Sequence, residues 1–208
     1  MKLILTSNQG FITKYGYQLL GIPKEKVRVG YVITATTVAR DTRFFEVAKK
    51  EIAESGYHYE KIDIAGKNEK ELRDFFRDKN VIHIEGGNVF YLLRVVRETG
   101  FDRLLKEFIA EGKIYIGASA GAYFACPTVE VADWTTNGKS RFELTDFTAL
   151  HLVPFLLKVH YTDEKKDEVL EHMKNLTYPL RILRDDQGIF VEDNIYTFLG
   201  EGKEVILN

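Results

Sequence analysis

The pentapeptide Gly117-Ala118-Ser119-Ala120-Gly121 places a serine between two glycines, each two residues away. The apolar run Lys113-Ile114-Tyr115-Ile116 precedes it and the helix-compatible Ala122-Tyr123-Phe124-Ala125 follows. A short strand, a G-x-S-x-G turn and a helix make a nucleophile elbow, in which a tight turn holds the serine hydroxyl out for attack. Glycines are needed because neighbouring chain passes close to such a strained turn. The helix that begins there points free N–H groups at any negative charge that develops beside the serine. The competing reading of the pentapeptide alone is a small-residue strand-to-helix turn with an incidental serine.

A serine nucleophile needs a base to take its proton, and the base needs an acid to orient it. Five histidines are available. His83 lies within the apolar run Val81-Ile82-His83-Ile84 and reads as a core residue, while His58 and His172 read as surface residues. His151 sits in an alternating segment that leaves its orientation open. His160 ends the run Phe155-Leu156-Leu157-Lys158-Val159 and so stands at the carboxyl edge of a strand, where sites form in open α/β sheets. It is the candidate base, against the alternative of a surface loop histidine. Gly86-Gly87-Asn88 closes one strand before the elbow strand. If those strands are neighbours, the N–H of Gly87 joins that of Ala120 in an oxyanion hole, with Gly86 and Asn88 beside the substrate.

These residues must be positioned by elements that the remaining sequence describes. Strands are expected over 3–6, 27–34, 57–64, 81–84 and 114–116. Helices are expected over 11–20, 40–55, 68–78, Val89–Thr99 and 101–111. The helix over 40–55 draws an inward stripe from Phe44, Phe45, Val47, Ala48, Ile52 and Ala53. This β-α alternation predicts an α/β fold: a mostly parallel sheet with helices on both faces. After Thr128 turn signals become denser. The segments 180–183, 189–191, 195–199 and 205–207 read as an antiparallel meander closing one edge, and 161–175 reads as a charged helix.

Composition bounds the function. The 208 residues show no repeat or linker, so 1–208 is read as one domain. Hydrophobic residues at 45% supply a sizeable core. A net charge of −2, with basic and acidic residues well mixed, gives no footprint for nucleic acid or an anionic membrane. The N-terminal apolar run is too short for a signal-peptide core and no run reaches the length of a membrane span. The single cysteine, Cys126, excludes an intrachain disulfide framework and reads as a packing residue. A cytosolic globular protein is expected, with oligomeric state, monomer or homodimer, left open.

Together, Ile84-Glu85-Gly86-Gly87-Asn88-Val89-Phe90-Tyr91-Leu92-Leu93, Ile114 through Ala122, Cys126-Pro127-Thr128, Leu150-His151-Leu152-Val153-Pro154 and Val159-His160-Tyr161-Thr162 resemble the S51 serine peptidases. That family includes aspartyl dipeptidases and, more distantly, cyanophycinases. The resemblance implies a three-layer, flavodoxin-like sandwich similar to class I glutamine amidotransferases, with serine in place of their elbow cysteine. It implies a Ser-His-acid triad with no metal or cofactor, and a small peptide as substrate. Ser119 would be the nucleophile and His160 the base. The family's spacing puts the acid at Asp133 or, with a shift, Glu130; Asp163 is a further option, although it is better placed to cap the following helix. The arginine-bearing insert that aspartyl dipeptidases carry after the histidine is missing from Tyr161-Thr162-Asp163-Glu164-Lys165-Lys166-Asp167-Glu168. Strict aspartate specificity is therefore not expected. An α/β-hydrolase-type esterase and a non-catalytic small-molecule-binding domain are the competing readings.

Overall fold

The computed structural model describes residues 1–39, 43–134 and 142–207. Its centre is a seven-stranded sheet: β1 (Lys2–Thr6), β2 (Arg28–Val32), β3 (His58–Ile62), β4 (Val81–Ile84), β5 (Ile114–Ala118), β8 (Gln187–Glu192) and β9 (Ile195–Gly200). The order across the sheet is β3-β2-β4-β5-β1-β8-β9. The first five strands run parallel, and β8 and β9 close the β1 edge antiparallel.

Side chains along the central strands alternate between two apolar layers, as the period of two requires. Leu3, Leu5, Ile82, Ile84 and Tyr115 enter the larger layer. It also holds buried residues of α3 (Glu69–Phe76), α4 (Val89–Thr99), α5 (Phe101–Ala110) and α6 (Ala120–Ala125). Ile4, Val81, Ile114 and Ile116 face the other way, onto Ile12 of α1 (Gln9–Tyr15) and Tyr17. Both faces are covered, giving the three-layer flavodoxin-like sandwich expected from the sequence. Local caps fix where helices begin beside the site: Asn8 Oδ1 accepts from Gly10 N at 3.0 Å, and Asn88 Oδ1 accepts from Tyr91 N at 2.9 Å.

Three expectations are corrected. First, the helix α2 (Arg43–Ser55) buries only Ala48 and Ile52; Phe44, Val47 and Ala53 are exposed, and Phe44 lines a pocket instead of the core. The start of that expected helix, 40–42, lies outside the described residues. Second, β6 (Leu156–Lys158), the strand ahead of His160, belongs to a separate parallel pair with β7 (Leu180–Ile182) and not to the main sheet. Third, only β8 and β9 form the expected meander, while Val205 makes an isolated bridge to Ile182 of β7. The charged segment after His160 is a 3₁₀ turn, Asp163–Lys165, followed by α7 (Lys166–Met173).

Candidate active site

Ser119 sits between β5 and α6 with φ 47° and ψ −101°, a conformation that is costly for a residue with a side chain. Two backbone bonds hold it there. Its N–H donates to Thr6 O at 2.9 Å, and its carbonyl accepts from Tyr123 N at 3.0 Å. Gly121 permits the turn, since a Cβ there would stand 2.3 Å from Ile84 O of the neighbouring strand.

The hydroxyl so presented lies 2.8 Å from His160 Nε2, and His160 Nδ1 lies 2.5 Å from Asp185 Oδ1. With the carboxylate on Nδ1, the ring holds its proton there and leaves Nε2 as an acceptor for the serine proton. The hydrogen bond from His160 and the nearby imidazole hold the Asp185 carboxyl below the usual aspartate range. Ser7, the first residue after β1, ties the group together. Its Oγ donates to Asp185 Oδ1 at 3.1 Å and accepts from His160 N at 2.8 Å. Gln187 braces the turn that carries Asp185: Oε1 accepts from Arg184 N at 2.8 Å and Nε2 donates to Glu201 O at 2.9 Å. Lys165 Nζ donates to His160 O at 2.6 Å.

The acid facing His160 is thus Asp185, not Asp133, Glu130 or Asp163. Asp133 and Glu130 lie in the 3₁₀ helix Glu130–Trp134, where Glu130 accepts from Thr128 Oγ1 at 2.9 Å. Asp163 pairs with Arg184 at 2.6 Å. Spacing from the serine pointed to the wrong segment because the β6–β7 pairing brings a later turn to the histidine.

The glycine loop lies where neighbouring strands put it. β4 pairs with β5, and a Cβ on Gly86 would stand 3.3 Å from Ser119 Cβ. Gly86 N donates to Glu85 Oε1 at 2.6 Å, and Asn88 N donates to Ala35 O at 2.8 Å. Among the described residues the N–H groups of Gly87 and Ala120 have no partner. Gly87 adopts φ 129° and its Cβ would stand 2.3 Å from Ala35 O, so only glycine fits. Glu85, wholly buried, also accepts from the Tyr31 hydroxyl, and burial raises its carboxyl pKa.

Ser119, His160 and the glycine loop line one cavity of about 440 Å³, a volume suited to a dipeptide-sized ligand. Its wall includes Ser7, Gln9, Glu85, Ser119, Lys158 and His160. The other histidines lie elsewhere. His83 is fully buried with Nδ1 3.2 Å from the Tyr59 hydroxyl, and burial pushes its pKa down to about 3. His151 stacks edge-on against Tyr178, and His172 stacks flat on Trp134. Cys126 is buried, and desolvation holds its thiol well above the usual range. Among the described residues no group of three or more His, Cys, Asp or Glu side chains is arranged to hold a metal ion, and no helix is long and apolar enough to cross a membrane.

An α/β sandwich with a serine elbow, an imidazole against its hydroxyl and unbonded N–H groups alongside has the layout of a hydrolase of the nucleophile-elbow class. Comparison with known proteins narrows the class. The model of peptidase family S51 matches residues 4–199, and the chain belongs to that family; it is a peptidase. An uncharacterized peptidase of Listeria monocytogenes is 33% identical over 184 residues, covering 86% of this chain and 84% of the relative. Peptidase E of a Nostoc species is 23% identical over 218 residues, covering 96% of this chain and 86% of the relative. A crystal structure of a candidate peptidase E from Listeria monocytogenes superposes with a TM-score of 0.85 at 29% identity, covering 97% of this chain and 98% of that one.

Sequence reasoning missed Asp185, Ser7, Glu85 and Lys158 as parts of the site. Asp185 adjoins Asp186-Gln187-Gly188, which the sequence marks only as a turn. Its one usable signal is an acidic pair at a strand-to-strand turn. Lys158 carries a clearer one, a lone lysine within an apolar run two residues before the candidate base.

Proposed function

We propose that this peptidase is a cytosolic serine exopeptidase that cleaves dipeptides and short peptides from their N-termini. The observation that carries the reading is the line from Ser119 Oγ to His160 Nε2 at 2.8 Å and from His160 Nδ1 to Asp185 Oδ1 at 2.5 Å. Ser119 attacks the scissile carbonyl while His160 takes its proton. Asp185 keeps the imidazole in the working tautomer and stabilises the imidazolium. The Gly87 and Ala120 N–H groups receive the oxyanion, each contributing about 3–4 kcal/mol by comparison with similar donors. His160 then returns the proton to the leaving amine, and water attacks the acyl-enzyme by the same route in reverse.

The pocket volume of about 440 Å³ supports a short substrate. Among the described residues that line the pocket there is no arginine to give a bidentate grip on an aspartate side chain, which supports a broad choice of N-terminal residue. The test is kinetics on Asp-X, Glu-X, Asn-X and Ala-X dipeptides with their N-acetylated forms. Cleavage of several free dipeptides and none of the acetylated ones is expected. Asp-X preferred over Asn-X by about 10⁴ would contradict the breadth, and equal cleavage of acetylated peptides would contradict the exopeptidase mode.

A further inference from the structure

Lys158 is an anomaly in this pocket. Its side chain is 1% exposed, yet among the described residues no carboxylate or other acceptor bonds its ammonium. Its Nζ stands over the face of Trp134, 5.7 Å from the ring centre. Glu168 attracts it and Lys165 repels it, both from beyond hydrogen-bond reach, while desolvation lowers its pKa. An ammonium at the end of a buried side chain, with no carboxylate of the described residues against it, gains from an anion brought to it. Lys158 lines the cavity that contains Ser119 and His160, so a ligand there can supply the missing anion. Lys165, the other cation among the described residues of that wall, already donates to His160 O at 2.6 Å.

The chemistry of the site says which end of the substrate Lys158 meets. His160 must hand its proton to the leaving amine, so that nitrogen lies against His160. The residue attached to it runs along the wall made by the chain bearing His160, in which Lys158 stands two positions earlier and both residues face the cavity. The carbonyl oxygen is taken by the N–H groups of Gly87 and Ala120, as proposed above. In a dipeptide the α-carboxylate carbon lies about 2.5 Å from the leaving nitrogen, two bonds away. In a longer peptide a neutral amide occupies that place, with any terminal carboxylate at least one residue further on.

We infer that Lys158 binds the α-carboxylate of the residue on the leaving side of the scissile bond and so selects dipeptides over longer or amidated chains. This rests on the peptidase reading given above and deepens it. Lys158 acts on binding and specificity, with no part in the proton transfers.

The test uses the full-length enzyme with Ala-Leu and Asp-Leu, each as free acid and as C-terminal amide. The expected kcat/KM for the free acid exceeds that for the amide by about 10²–10³-fold, as for a desolvated charge pair. In Lys158→Met the ratio should fall close to one, and Lys158→Arg should recover part of it, which a purely structural residue would not do. Binding to Ser119→Ala, measured by calorimetry with the same four compounds, needs no turnover. There the free acids should bind more tightly than the amides, and the difference should vanish in Ser119→Ala/Lys158→Met.

Equal cleavage of acid and amide by the wild-type enzyme would overturn the inference and leave the peptidase reading standing. Lysine-dependent binding of the free acids without any cleavage would uphold it while the peptidase reading fails. A Lys158→Met enzyme that keeps its acid-over-amide ratio but loses a preference for Asp-Leu over Asn-Leu would overturn it in favour of a side-chain carboxylate. So would a Ser119→Ala protein that binds none of the four compounds.

Discussion

Replacing Asp185 by asparagine asks whether the acid beside His160 is the one that matters. The substitution keeps the shape but removes the charge on the oxygen that His160 Nδ1 meets at 2.5 Å and Ser7 Oγ at 3.1 Å, leaving at most a neutral amide oxygen to accept. In a buried serine-protease triad the equivalent change costs about 10⁴ in turnover, because the wrong tautomer is favoured and the imidazolium loses its counter-charge. Here the dyad is wetter: the His160 side chain is 43% exposed and that of Asp185 63%. A charge-assisted hydrogen bond contributes about 1.5–3 kcal/mol, or roughly 10- to 150-fold, and solvent pushes it to the lower end. The tautomer penalty comes on top, so the expected loss in kcat is about 10²–10³-fold with little change in KM. The assay is steady-state hydrolysis of the best dipeptide, with thermal unfolding to show that the variant is folded. Asp133→Asn and Glu130→Gln, measured alongside, should each stay within about threefold of wild type. A larger loss from Asp133→Asn than from Asp185→Asn would refute the assignment.

Three further perturbations have defined outcomes. His83 is neutral when folded, with its pKa lowered from 6.5 to about 3. The unfolded chain therefore binds the proton first, and stability should fall by about 1.4 kcal/mol per pH unit as pH drops below about 6.5, levelling off near pH 3. Urea unfolding of the wild type and His83→Asn at pH 7 and pH 5 checks this: the wild type should lose about 2 kcal/mol more than the variant across that interval. Gly87→Ala meets both φ 129° and a carbonyl 2.3 Å from the new Cβ, so it should lose about 1–3 kcal/mol of stability and at least tenfold in kcat as the oxyanion donor shifts. Thermal melts and kinetics read the two effects. Cys126, buried with a raised thiol pKa, should resist Ellman's reagent in the native enzyme and react with one equivalent after denaturation. Rapid native labelling accompanied by inhibition would contradict its packing role.

What the sequence revealed tracks how local each feature is. The elbow is a contiguous pentapeptide whose chemistry is its spacing, and the Gly86-Gly87-Asn88 loop needs only the adjacency of β4 and β5. His160 follows an apolar run that is visible by itself. Asp185 was hidden because its place depends on long-range contacts: β6 must pair with β7, and Ser7 must bridge across 153 and 178 residues of sequence. Three-residue strands such as β6 and β7 are too short for periodicity to assign to a sheet, so the histidine's strand was expected in the wrong one. On α2, hydrophobicity alone could not separate Phe44, which lines the cavity, from Ile52, which enters the core. The five parallel strands, with longer apolar runs and clear turns between them, were legible throughout.

The central claim is that Ser119 is a nucleophile activated by His160, and the most direct measurement is fluorophosphonate labelling of the intact protein read by mass spectrometry. One adduct per chain is expected, mapped to the peptide containing Ser119, absent from Ser119→Ala and formed at least a hundredfold more slowly by His160→Ala. An unlabelled wild-type protein, or an adduct that persists in Ser119→Ala while peptides are still cleaved, would contradict the account.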